Sequence, residues 1–296
     1  MPGQLTRQAI AVQPEWLAQV AERVGDLRLQ EGARVLFTGC GTSFHAALAC
    51  GNAAQALEIV LGHAPEADVL VAISHEGGTR LTQEAVGGFA GETWLITGAA
   101  DGAIAKSVDH VVVATPAIEE SYCHTVSYTC AIAVGRALRG EDVSALAADV
   151  FRELDAKPIG ASEHDRYVVA GAGRDAATVL EAVLKLREGA HVAAEAHQTE
   201  QLLHGHLAAI DPSVRCFVLE GEGRAAERAV DAMRALGELG CDALLVPTTH
   251  PVVDIVCFQV LACDLADARG IDPDMIRWDE EPWDRARQAQ DWTSEE

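Results

Sequence analysis

Residues 33–49 read ARVLFTGCGTSFHAALA, and residues 165–183 read DRYVVAGAGRDAATVLEAV. Each begins with an apolar run, passes through Gly-x-Gly, and continues with apolar residues at helical spacing. That order predicts strand, tight turn, helix. Gly39 and Gly41 correspond to Gly171 and Gly173, and Ser43 stands where Asp175 stands. A second echo links VLVAISHEGGTRLTQEAV (69–86) with VRCFVLEGEGRAAERAV (214–230). TWLIT (93–97), HVVVA (110–114) and DALLVP (242–247) supply further buried strands. Strands alternating with helices predict parallel sheets with right-handed crossovers. The repeat is too long for a solenoid. The chain therefore reads as an α/β protein made of two related halves.

The 296 residues suffice for two domains, and 49% hydrophobic content supports a sizeable core. The spacing predicts a helical arm over 1–27, in which Pro14 opens a helix with Trp16, Val20 and Val24 on one face. A first domain covers 28–157, a Pro/Gly-containing joint leads to a second domain over 164–270, and a polar tail covers 271–296. Trp278, Trp283 and Trp292 predict that this tail docks on the active site or on a partner subunit. The formal net charge of −23 argues against nucleic acid or an anionic membrane as partner. No stretch has the length of a membrane span, and MPGQLTRQAI lacks a leader's apolar region, which predicts a cytoplasmic protein. The eight cysteines form no CxxC pair and read as small core residues of a reduced protein. No metal site and no cofactor are expected. The first turn is not GxGxxG, and the acidic residue expected after a next strand is missing, which disfavours a dinucleotide fold.

The polar residues cluster after the strands of the first half. Cys40, Gly41, Thr42 and Ser43 open one helix; Ser74, His75, Glu76 and Thr79 open the next; His124 and Thr125 approach a third. Amides and hydroxyls at helix starts can cradle an anion, and α/β folds bind ligands at strand carboxyl ends. In the second half Asp175, Glu220 and Glu222 occupy the corresponding region, so one such site per chain is expected, on the first half. The chemistry-bearing stretch lies elsewhere, at 181–211: EAVLKLREGAHVAAEAHQTEQLLHGHLAAID. At 3.6 residues per turn Glu181, Lys185, Glu188 and Glu195 fall on one helical stripe, and His204-Gly205-His206 follows. Such a set can move protons on a small polar molecule. The plainer alternative is a solvated helix with one Glu–Lys pair, a contribution of about 0.2–0.5 kcal/mol.

GCGTSFHAALA and the 181–211 segment together identify a resemblance to the sugar isomerase (SIS) domain family, covering nearly the whole chain from Gln13-Pro14. More narrowly, the chain resembles the double-SIS isomerase module of glucosamine-6-phosphate synthase and its free-standing relatives, without a glutaminase domain. The resemblance implies two tandem SIS domains, each a five-stranded parallel sheet flanked by helices in a flavodoxin-like, three-layer αβα arrangement. It implies a homodimer with shared active sites and a sugar or sugar-phosphate substrate. By position, Ser43, Ser74 and Thr79 would hold the phosphate with amides near Thr42 and His75. Glu188 would shift the proton between C1 and C2, with Lys185 and Glu181 supporting it. His204 would open the sugar ring from the neighbouring subunit. The implied activity is aldose–ketose isomerisation or amino-sugar phosphate deamination; a non-catalytic sugar-phosphate sensor is the alternative. Several positions depart from the family pattern. Ser74-His75-Glu76-Gly77-Gly78-Thr79 replaces Ser-Gln-Ser-Gly-Glu-Thr, and His124-Thr125-Val126 replaces Ser-Thr-Lys. His206 replaces a proline, and the tail lacks the family's Arg-Asn-Leu-Ala-Lys-Ser. These departures imply an altered substrate.

Overall fold

The computed structural model describes residues 2–290. Two short helices, α1 (Gln4–Leu17) and α2 (Val20–Val24), lead into β1 (Val35–Gly39) and α3 (Thr42–Cys50). Then come β2 (Ala53–Gln55), α4 (Ala56–Val60), β3 (Val69–Ile73), α5 (Arg80–Gly87), β4 (Glu92–Thr97), β5 (His110–Val113), α6 (Val126–Leu138) and α7 (Leu146–Asp155). The second half contains β6 (Arg166–Gly171), α8 (Ala176–Ala190), β7 (Ala193–Gln198), α9 (Thr199–Leu203), β8 (Val214–Leu219), α10 (Arg224–Glu238) and β9 (Asp242–Val246). It closes with α11 (Pro251–Asp254), α12 (Val256–Arg269) and α13 (Glu281–Gln290). The apolar runs form strands because residues such as those of VLVAI are buried along their whole length, as central parallel strands require.

The first sheet has the order β2-β1-β3-β4-β5 and the second β7-β6-β8-β9, with every neighbouring pair parallel. The chain leaves β1 to one side for β2 and returns to the other side for β3. The turns after β1 and β3 therefore flank a topological switch point, where α/β sheets hold their ligands. The second sheet has four strands among the described residues, not the five that the resemblance implied. After β9 the chain meets Pro251, which has no N–H for a ladder, and the apolar residues beyond it follow a helical period into α11 and α12.

One apolar cluster joins the halves: Phe37, Val71 and Trp94 of the first sheet share it with Val169 and Phe217 of the second and Phe258 of α12. Phe217 and Phe258 meet edge-to-face at 5.5 Å. Helix α8 packs against α3, so the polar face of α8 is turned toward the turns of the first half.

Pro14 does not open a helix. It lies inside α1. A proline there leaves the carbonyl of Ile10 without its helical donor. The Gln13 side chain replaces the donor, with Nε2 giving a hydrogen bond to Ile10 O at 3.0 Å, while Gln13 itself is buried against Gln259 and Thr129. The start of α1 is held from the far end of the chain. Asp274 accepts hydrogen bonds from the amides of Leu5 and Thr6, and Asp272 accepts one from Gly3. Carboxylates suit the amide-rich start of a helix.

Candidate active site

Helix α8 carries Glu181, Lys185 and Glu188 on one face, and they form one cluster. Lys185 Nζ lies 2.7 Å from Glu188 Oε2 and 3.3 Å from Glu181 Oε1. It also donates to the carbonyls of Cys123 and His124 at 3.2 and 3.1 Å, and to Thr42 Oγ1 at 3.4 Å. Thr42 and His45, three residues apart on α3, both reach Glu181: Thr42 Oγ1 at 3.1 Å and His45 Nδ1 at 2.7 Å. Glu181 and Lys185 are fully buried, whereas the Glu188 side chain retains 23% exposure. The plainer alternative, a solvated ion pair, does not describe this helix face. Glu195 does not join the stripe: α8 stops at Ala190, His191 takes a left-handed conformation at φ 52°, and Glu195 lies in β7.

Charge orders the cluster. For Lys185, burial opposes the ammonium, but the carboxylates of Glu188 and Glu181 outweigh it and hold the amine protonated, above its usual pKa. Burial works against the Glu181 carboxylate too. The charge of Lys185 and the contact with His45 overcome it, and its pKa falls below the usual value. Glu188 goes the other way: burial raises its pKa, only partly countered by Lys185. Two carboxyls around one ammonium therefore have their affinities for a proton pushed apart, an arrangement that suits acid–base work.

The turns of the first half face this cluster. Gly41, at φ 55°, immediately precedes α3, and a side chain on Gly39 would collide with the backbone of Ser43 at 2.8 Å, so the turn is wound tightly onto the helix start. A small cavity of about 30 Å³ lies behind it, and Thr42, Ser43, His75, Thr97, His124 and Ser127 supply polar groups to its wall. That volume holds a few waters at about 10–15 Å³ each, so a sugar must sit at its mouth. Ser74 is buried and its Oγ meets Thr79 Oγ1 at 3.3 Å. Cys40 Sγ lies 3.7 Å from Thr82 Oγ1, not among the groups around Lys185. The His75 and His124 rings lie 4.8 Å apart. His75 Nε2 lies 3.2 Å from the amide nitrogen of Glu119 and 3.4 Å from its carbonyl oxygen. Burial pushes the pKa of His124 down to about 4, so its imidazole is neutral at neutral pH.

His204 is not brought to this cluster. Its side chain is 72% exposed and pairs with Glu200 at 2.7 Å, and Glu200 also binds Arg228. His206 packs its ring on His197 at 4.3 Å. In the tail, Trp278 packs on Tyr122 at 4.5 Å, and the amide of Tyr122 donates to Asp274 O at 3.1 Å. Tyr122 immediately precedes the two carbonyls that hold Lys185, so the tail buttresses that segment. Trp283 stacks under Arg277, and Trp292 lies outside the described residues.

Two further residues matter that sequence reasoning did not single out. His45 sits in a stretch that reads as an apolar helix. Glu119 is buried and accepts four hydrogen bonds: from the amide and hydroxyl of Thr125 at 2.7 and 2.9 Å, and from the amide and hydroxyl of Ser127 at 2.8 and 2.6 Å. It shapes the segment carrying His124 and the start of α6. Glu119→Gln keeps the size but puts an amide N–H₂ against one pair of donors. The expected cost is about 1–3 kcal/mol, read as a lower denaturation midpoint at unchanged m-value.

Three solved structures share this fold over more than nine-tenths of the chain. They are glucosamine-6-phosphate deaminase from Thermotoga maritima (TM-score 0.73, 20% identity, 92% of this chain and 97% of that one), the C-terminal domain of glucosamine-fructose-6-phosphate aminotransferase from Francisella tularensis (0.76, 18%, 92% and 98%), and tagatose-6-phosphate ketose/aldose isomerase from Escherichia coli (0.75, 17%, 93% and 97%). The chain has the double SIS fold. Among curated proteins, the chain is similar to glutamine–fructose-6-phosphate aminotransferase (isomerizing) of Aeropyrum pernix, 28% identical over 316 aligned residues that cover 82% of the chain and 50% of the relative. It is also similar to the same enzyme of Methanothermobacter thermautotrophicus, 24% identical with 88% and 52% covered. The chain thus spans about half the length of these relatives. No family model matches it. In the turn after β3, Glu76 is exposed and, like Ser74 and Thr79, lines no part of the cavity.

Proposed function

We propose that this chain is a sugar-phosphate aldose–ketose isomerase or amino-sugar phosphate deaminase, with Glu188 as the proton-transferring base. The observation that carries the reading is the buried Lys185. It ties both carboxylates of α8 to Thr42 and to the 123–124 carbonyls, and so holds Glu188 beside the ligand-type turns of the first half. The relatives and the shared fold support the same substrate class. In the open-chain aldose, Glu188 takes the proton from C2 while O1 gains one, giving the enediol. Glu188 then delivers its proton to C1 as O2 loses its own, leaving the ketose. With an amine at C2, the same shift gives the C2 imine, which water hydrolyses to ketose and ammonia. Lys185, fully buried and donating to Glu188 and to the 123–124 carbonyls, fixes the position and charge environment of Glu188 and does not itself touch the substrate.

The test is incubation with glucosamine 6-phosphate, fructose 6-phosphate and their unphosphorylated forms, following aldose, ketose and ammonia. Turnover of at least one phosphorylated sugar is expected. The base must be ionised and its pKa is raised, so kcat/KM falls as pH drops through a value above the ordinary glutamate 4.5. Absence of turnover across the panel, or an acid limb at or below that value, contradicts the reading.

A further inference from the structure

We propose that Thr6 is a positioning residue for Glu188, acting through a relay of hydrogen bonds that runs from the tail to Lys185; this rests on the isomerase or deaminase reading above. The relay can be followed atom by atom. Thr6 Oγ1 donates to Asp274 Oδ1 at 2.7 Å and lies 2.7 Å from Ser121 Oγ. The single hydroxyl proton of Thr6 goes to the carboxylate, so Ser121 is the donor in the second contact. Ser121 Oγ in turn accepts the amide of Cys123 at 3.2 Å. The carbonyl of Cys123 accepts from Lys185 Nζ at 3.2 Å, and Lys185 Nζ lies 2.7 Å from Glu188 Oε2.

Thr6, Ser121 and Asp274 are all buried. From Cys123 onward each donor points toward the one carboxylate of Asp274, which also accepts the amides of Leu5 and Thr6. Hydrogen bonds in such a series strengthen one another in a low-dielectric interior. The tail reaches the same place by packing. The amide of Tyr122 donates to Asp274 O at 3.1 Å. A side chain on Gly189, next to Glu188, would meet Cys123 Sγ and Pro273 Cβ, each at 3.7 Å. The relay therefore ends where α8, the 123–124 carbonyls and the tail come together. Without the Thr6 hydroxyl, Ser121 loses its acceptor, and the backbone whose carbonyls share Lys185 with Glu188 is no longer fixed from the α1 side.

Thr6→Val keeps the size and branching of the side chain and removes only the hydroxyl. It is expected to lower kcat about 10-fold at the pH optimum, less than the ~100-fold that a 1 Å misplacement can cost, with KM for the phosphorylated sugar within about 2-fold. Lys185 counters the burial that raises the pKa of Glu188, so a loosened Lys185 moves the acid limb of kcat/KM to higher pH. The Glu188 carboxyl titration, followed by carbon-13 NMR and assigned with Glu188→Gln, should move the same way with no sugar present. Thr6→Ser restores the hydroxyl and should restore kcat, acid limb and titration together. Arg7→Gln is the control: Arg7 ties α1 to α12 through Asp267, away from the 121–124 segment, so its loss should leave the acid limb and the titration at wild type. If Thr6→Val does not fold, Ser121→Ala takes its place. A variant that melts lower but keeps the wild-type kcat, acid limb and titration overturns the proposal, as does an equal shift in Arg7→Gln. A wild type that turns over none of the sugars contradicts the functional reading itself, and the titration then decides whether Thr6 positions Glu188.

Discussion

Lys185→Met is expected to destabilise the protein by about 3–5 kcal/mol, the range for removing one partner from a buried ionic cluster. Methionine nearly matches the lysine in volume, so the loss is not a cavity effect. It arises because Glu181 is fully buried and Glu188 mostly so, and each depends on the ammonium between them. The 123–124 carbonyls lose their donor as well. In a chain of this size the melting temperature should fall on the order of 10 °C. A second variant separates charge from packing. Adding Glu181→Gln to Lys185→Met removes one of the stranded carboxylates and should recover part of the loss. If the single variant melts within a degree or two of wild type, the cluster does not hold the site together as described.

Glu188→Gln is expected to lower kcat by about 10²–10⁴-fold, the usual contribution of a positioned acid–base group. KM should change little, because the proposed binding groups lie on the first half. Stability should fall moderately, because the buried Lys185 ammonium loses one of its two carboxylates; the loss is partly offset because the pKa of Glu188 is raised by burial, so its charged form costs stability as pH rises through that value. A fall in melting temperature with kcat unchanged would point instead to a structural role.

Much of this arrangement was legible in the chain. The strand–turn–helix echoes gave two parallel sheets because burial on both faces produces continuous apolar runs, and Glu181, Lys185 and Glu188 were legible because helical spacing brings them to one face. Glu195 was misplaced because nothing in the sequence marks His191 as the left-handed residue that ends α8. Pro14 misled because its compensation is tertiary: the Gln13 side chain supplies the missing donor only while Gln259 and Thr129 hold it. The fifth strand of the second sheet was expected from resemblance alone; local chemistry at Pro251 turns that segment into helix. His45 was missed although its signal was present, three residues after Thr42, because its acidic partner lies more than a hundred positions away. His204 lies outside the cluster of its own chain and is exposed, as a residue offered to a neighbouring subunit would be.

The most direct measurement is hydrogen exchange at the reacting carbons. Glucosamine 6-phosphate or fructose 6-phosphate, incubated with the protein in deuterium oxide, is followed by proton NMR at C1 and C2. The account predicts that deuterium enters at these carbons with the wild type and not with Glu188→Gln. Deuterium entering at the same rate in both proteins, or no exchange with any of the sugar phosphates, would contradict it.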